Sequence, residues 1–191
     1  MTVRYGLIGY GRWGAWHAAA IRNAPHAELA GIAVSSPESA RRAEAEQGVP
    51  AYTDYRELLA RPDIDAADIV LPNHLHYEVA MDAIRAGKHL LLEKPLALTV
   101  EQGRAIAEEA KRSGLIVQVG HELRFSPLWG KVREQIDAGR IGTLKSALIQ
   151  LSRHPFRPGA NGWRTDAARV GNWTLEEPVH FFDLLRWDFA G

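Results

Sequence analysis

No cysteine occurs anywhere in the 191 residues, which excludes disulfide cross-links, thiolate metal sites and a thiol nucleophile. No apolar run approaches the roughly 20 residues that a membrane-spanning helix needs, so no membrane partner is expected. Neither sign of charge is in excess. The 23 lysines and arginines cancel 23 aspartates and glutamates, so no global field draws the chain to nucleic acid or to an anionic surface. The N-terminus enters a strand pattern at once, without a basic start and apolar leader, and a cytoplasmic location is expected. What is present, 46% apolar and 24% charged residues, suits a folded chain with a sizeable core and small-molecule partners. Domains run about 100 to 150 residues, so one complete domain and part of a second are expected.

Short, nearly continuous apolar runs at 3–8, 29–34, 67–71, 89–92 and 115–119 read as strands buried on both faces. Helical periods lie between them at 13–22, 38–47, 55–59, 76–86 and 100–112. Alternation of strand and helix predicts an α/β fold with a doubly wound parallel sheet. Thr99 and Gln102 have capping-box spacing, while Gly87 and Gly114 stand where helix C-caps belong. The regularity stops near Gly120. Beyond it the pattern predicts a helix over 127–138, a long strand over 143–151, an irregular stretch rich in glycine, proline and arginine over 152–171, and a helix over 173–189.

Gly9-Tyr10-Gly11-Arg12-Trp13-Gly14 is a G-x-G-x-x-G run directly after the first strand and directly before a helix. The first glycine permits the tight turn, the second lets backbone approach a pyrophosphate, and the third lets helix pack on strand. The helix start then offers free N–H groups to the phosphates. NAD or NADP is therefore the expected cofactor. An acidic residue about 20 residues further on would bind the adenosine ribose of NAD. Here Ser35 and Ser36 occupy the strand end, followed by Arg41 and Arg42, a combination suited to a 2′-phosphate, and NADP is favoured over NAD. Tyr10, Arg12 and Trp13 are expected to wall the pyrophosphate, with Trp13 alternatively a core residue.

Further motifs follow: Pro72-Asn73-His74-Leu75-His76, Ala86-Gly87-Lys88-His89, Glu93-Lys94-Pro95-Leu96, Arg124-Phe125-Ser126-Pro127 and His180. With the glycine turn they make the chain resemble the glucose-fructose oxidoreductase, inositol dehydrogenase and rhizopine-catabolism family, Gfo/Idh/MocA. The resemblance implies a Rossmann domain, here 1–120, followed by an α/β substrate domain of which 121–191 would be the opening segment, the rest being truncated. It implies hydride transfer between NAD(P) and a sugar, polyol or related alcohol or ketone, and a homo-oligomer built on the sheet of the second domain. It also implies that 72–76, Glu93, Lys94 and Pro95 line the nicotinamide, that the Lys94-Pro95 region is constrained, and that Trp163 and Arg164 lie near cofactor or substrate.

The residues support these roles by their own chemistry. Lys94 stands outside the carboxyl end of a strand, where ligands of doubly wound sheets collect, and can hold charge on a substrate oxygen as hydride leaves. Glu176 and His180 share a helical face at i, i+4, with Asp183 three residues on, so an imidazole there can be oriented and can move a proton. The family usually has an Asp at the position of Glu176, and Glu176, Glu177 or Asp183 can partner His180. Catalytic roles are expected for Lys94, His180 and Glu176. A metal on His74 and His76 is not expected, for want of a further ligand, and Arg124 is expected to anchor the domain junction. Two other readings are a non-catalytic dinucleotide-binding module or inactive fragment, and a biliverdin-reductase-like or dihydrodipicolinate-reductase-like enzyme. The aromatic tail, Trp163, Trp173, Phe181, Phe182, Leu184, Leu185, Trp187 and Phe189, is expected to need covering and to promote self-association.

Overall fold

A computed structural model describes residues 2–152 and 158–189, in two compact units, Met1–Val119 and Gly120–Gly191. The first unit is an α/β sandwich. Its strands are β1 (Val3–Ile8), β2 (Ala27–Ala33), β3 (Ala51–Tyr52), β4 (Ala66–Ile69), β5 (His89–Leu92) and β6 (Val117–Val119). All pair in parallel in the order β3-β2-β1-β4-β5-β6, which is the dinucleotide-binding order with its switch point between β1 and β4. The helices are α1 (Arg12–Asn23), α2 (Pro37–Gln47), α3 (Tyr55–Leu59), α4 (His76–Arg85) and α5 (Val100–Ser113).

Successive strand residues point to opposite faces, except that an irregular register between β1 and β2 at Ala30 keeps Leu29 and Ile32 on one face, and the core divides accordingly. Leu7, Leu29 and Ile32 pack with Ala18 and Ile21 of α1 and Ala43 of α2. Their neighbours Ile8, Ala30 and Ala33 pack on the other face with Leu58 of α3, Val79 and Ile84 of α4 and Ile106 of α5. Ala67 and Ile69 of β4 belong to that second face, so alternation turns Asp68 toward the layer of α1. Ser36, Asp54 and Thr99 cap α2, α3 and α5 with side-chain oxygens, and Gly48 and Gly114 end α2 and α5 in the left-handed conformation.

The second unit holds α6 (Pro127–Asp137), α7 (Ala167–Val170), α8 (Trp173–Glu176) and α9 (Val179–Phe189), with 3₁₀ turns at Glu122–Phe125 before α6 and Ala160–Thr165 before α7. Two expectations are corrected here. Residues 143–151 form no strand: the segment stays unpaired, with Leu148 93% exposed, because a strand needs a neighbour for its N–H and C=O groups and none among the described residues supplies one. The expected helix over 173–189 is two helices. Pro178 offers no N–H and disfavours helical backbone at Glu177, which sits at φ −121°, ψ −57° between α8 and α9. Residues 153–157, within the expected irregular stretch, and the side chain of Phe189 lie outside the described residues.

Candidate active site

The three glycines of the turn have different reasons to be glycine. At Gly9, φ is +100° and a Cβ would stand 2.1 Å from the Val70 carbonyl oxygen. At Gly14 a Cβ would stand 2.1 Å from the oxygen of Gly9. Both are demanded by packing. At Gly11 a Cβ would meet nothing within 4 Å, and the backbone there is extended, at φ −82° and ψ −164°. Gly11 is also the N-cap of α1, and no side chain caps that helix. Open space beside uncapped N–H groups is what an incoming pyrophosphate requires, so the turn fits a dinucleotide.

Arg12 and Trp13 are exposed at this helix start, Trp13 by 51%, which removes Trp13 from the core. Tyr10 departs from its expected place. Its ring is buried in the α1/α2 layer and its hydroxyl donates to Glu46 at 2.8 Å and accepts from Gln47 at 2.6 Å, so only its backbone remains at the turn. Arg42 donates to the Tyr10 carbonyl at 3.1 Å, bringing a guanidinium to the turn, while Arg41 is exposed on α2. Ser35 is exposed, whereas the Ser36 hydroxyl accepts from the Ser39 amide at 3.2 Å as the cap of α2.

At the carboxyl ends of β4 and β5 the chain brings together 72–76 and 93–95. Pro72 opens a 3₁₀ turn, Asn73–Leu75, in which Asn73 is buried and His74 half-buried. His76 is fully buried, with Nδ1 2.6 Å from the Pro95 oxygen and Nε2 2.8 Å from the Leu71 oxygen. Burial pushes this ring below its ordinary pKa. A neutral ring carries one N–H, so His76 donates to one of these two carbonyls and packs its other nitrogen against the second; fully enclosed between the two segments, it is not open to cofactor or metal. The Lys94-Pro95 bond it supports is cis.

The sequence reading missed the partner of Glu93. His17, on α1, donates from Nδ1 to Asp68 at 2.9 Å and from Nε2 to Glu93 at 3.2 Å. Burial opposes its charge, but the hydrogen bonds and negative charge of the two carboxylates outweigh that and push His17 up to about 10. Burial would raise Glu93, yet hydrogen bonds from His17 and the Trp13 indole hold it below the usual range. Asp68, fully buried, is raised by that burial against the pull of His17. Asp68, an acid in the middle of an otherwise apolar two-sided strand, is the sequence signal that would have pointed to this cluster and was not read.

In the second unit Glu176, 1% exposed, forms an ion pair with Arg164, its Oε1 2.7 Å from Nε, and the Arg164 guanidinium lies 5.0 Å from the Trp163 ring centre. Gly159 faces Trp163 so closely that a Cβ would stand 2.5 Å from the indole nitrogen. His180 is buried, with the Glu122 carboxylate, not considered from sequence, 3.5 Å from Nε2 and the His121 ring edge-on at 6.4 Å. Asp183 is held by Arg124 through two contacts of 2.6 Å and also lies 3.7 Å from His121 Nε2.

Residues 3–121 match the GFO_IDH_MocA model, an oxidoreductase family with an NAD-binding Rossmann fold. The chain is 35% identical over 187 residues to a 1,5-anhydro-D-fructose reductase of Ensifer adhaerens, covering 96% of this chain and 56% of that protein. It is 34% identical to an inositol 2-dehydrogenase of Rhizobium meliloti, covering 98% and 55%. The crystal structure of a scyllo-inositol dehydrogenase from Lactobacillus casei with NAD(H) and scyllo-inositol bound superimposes with a TM-score of 0.82 at 26% identity, covering 100% of this chain and 57% of that one. The chain thus spans about half the length of the relatives it matches.

Proposed function

Since this chain belongs to the Gfo/Idh/MocA oxidoreductase family, we propose that it binds a nicotinamide dinucleotide at Gly9–Gly14 and serves hydride transfer at a CH–OH group of a sugar, polyol or related ketone. The observation that carries this reading is Gly11, whose missing side chain neither packing nor backbone conformation explains and whose open surface adjoins the uncapped start of α1. Residues 1–120 are then the cofactor domain and 121–191 the opening segment of a substrate domain. A dinucleotide held at Gly9–Gly14 would supply the hydride acceptor or donor. Lys94, just past β5, hydrogen-bonds the reacting oxygen and stabilises its negative charge as the C–H bond breaks. His180 takes the hydroxyl proton in oxidation and returns it in reduction, and Glu176, gripped by Arg164, fixes the helix start that carries it. NADP(H) is accommodated at least as well as NAD(H), because Val34, Ser35 and Ser36 between β2 and α2 include no carboxylate to repel a 2′-phosphate.

The test is a screen of inositols, anhydro sugars and keto sugars with both dinucleotides, followed by nicotinamide absorbance. Turnover on a member of this class is expected, and Lys94→Ala or His180→Ala should lower it by about two to four orders of magnitude with little change in cofactor affinity. Near-normal kcat in either variant would remove that residue from the chemistry. Dinucleotide binding without turnover across the screen would reduce the reading to a binding module.

A further inference from the structure

The cluster of His17, Asp68 and Glu93 lies outside the proton-transfer roles assigned above. Its residues come from three elements: α1, the middle of β4 and the exit of β5. Glu93 closes the ladder between β4 and β5, its amide donating to the Ile69 oxygen at 3.0 Å, and the next residue is Lys94. After Lys94 comes Pro95, whose carbonyl oxygen is held by His76 at 2.6 Å. His76 belongs to α4, on the opposite face of the sheet from α1. Lys94 therefore stands between two anchored neighbours, each tied by a histidine from a different helical layer.

We infer that His17 is a positioning residue for Lys94: by gripping the Glu93 carboxylate from α1, it ties the helix that opens at the glycine turn to the backbone that carries Lys94. Trp13, in the first turn of the same helix, adds an indole hydrogen bond to that carboxylate. The grip is an ion pair, because each ring nitrogen of His17 faces a carboxylate and so each must carry a proton. Asp68 fixes the far side of the ring, leaving the imidazolium a single orientation toward Glu93. Occupation of the helix start by a dinucleotide would then be felt at Lys94 through one short path, α1 to Glu93 to the β5 exit. The functional meaning of the clamp rests on Lys94 acting on substrate, as proposed above; the clamp itself does not.

The test reads Lys94 without turnover. The whole chain, its His17→Asn and Glu93→Gln variants and the double variant are acetylated with a limiting amine-reactive reagent, and site-resolved rates are measured by mass spectrometry. Lys111 and Lys131, exposed on α5 and α6, serve as internal references. Each single variant is expected to raise the Lys94 rate about threefold or more, with the references unchanged, as local opening of a released segment would do. The double variant should match the singles, since both cut the same path. A Lys94 rate unchanged or lowered in His17→Asn, or a double-variant effect equal to the product of the singles, would overturn the inference. Should His17→Asn fail to fold, Trp13→Phe at its half-exposed site removes one of the two hydrogen bonds and should raise the rate by at least about 1.5-fold; no rise would overturn it equally. A separate dinucleotide titration distinguishes failure of the proposed function from failure of the clamp.

Discussion

Replacing His17 by leucine removes the cation that faces two buried carboxylates while keeping most of the side chain's volume. Asp68 is fully buried and Glu93 is 11% exposed at its side chain, so neither charge is well screened by water. Removing one partner of a buried pair generally costs about 3–5 kcal/mol. Burial already pushes Asp68 up, so this carboxyl takes a proton as pH falls and relieves part of the repulsion. We expect a loss of about 3 kcal/mol near pH 8, from urea unfolding at unchanged m-value. In the wild-type chain the imidazole is raised from 6.5 to about 10, so its contribution is fully present below pH 6.5 and is lost as pH climbs toward 10. A penalty under about 1 kcal/mol would refute the buried ion cluster.

Other outcomes follow from the same structure. Gly9→Ala and Gly14→Ala each press a methyl group against a carbonyl oxygen at 2.1 Å and should lower the melting temperature or prevent folding, as read by circular dichroism. Arg41→Ala should weaken NADP(H) by about tenfold and leave NAD(H) nearly unchanged in fluorescence titration; a clear NAD(H) preference unaffected at Arg41 and Arg42 would reject the 2′-phosphate site. Light scattering on the purified chain should show species larger than a monomer, because Phe125, Leu128, Ile141, Trp173 and Phe182 are all more than half exposed.

The first unit was legible because its signals are local. Continuous apolar runs mark buried strands, and turn and cap residues such as Thr99 and Gly114 mark where helices begin and end. β3 escaped notice because Ala51–Tyr52 is too short to make a run and is defined only by pairing with β2. The error at 143–151 has a related cause, since alternation of side chains suggests a strand but cannot supply its neighbour. At the candidate site, the glycine turn and Lys94 were visible as motifs. The partners of His17, 51 and 76 positions away in sequence, were not, because such contacts depend on which helix covers which strand. Tyr10 and His76 were read as ligand-facing from motif position alone, and burial gave both a structural task instead.

The central claim is that the glycine turn is built for a dinucleotide, and calorimetric titration of NAD(H) and NADP(H) into the wild-type chain and Gly11→Val tests it most directly. A valine at Gly11 has room in the unliganded fold, so melting should be unchanged while dinucleotide affinity falls by about a hundredfold or more, as expected when a side chain fills the space the pyrophosphate needs. Equal affinity in the two proteins, or no binding of either dinucleotide to the wild-type chain, would contradict the account.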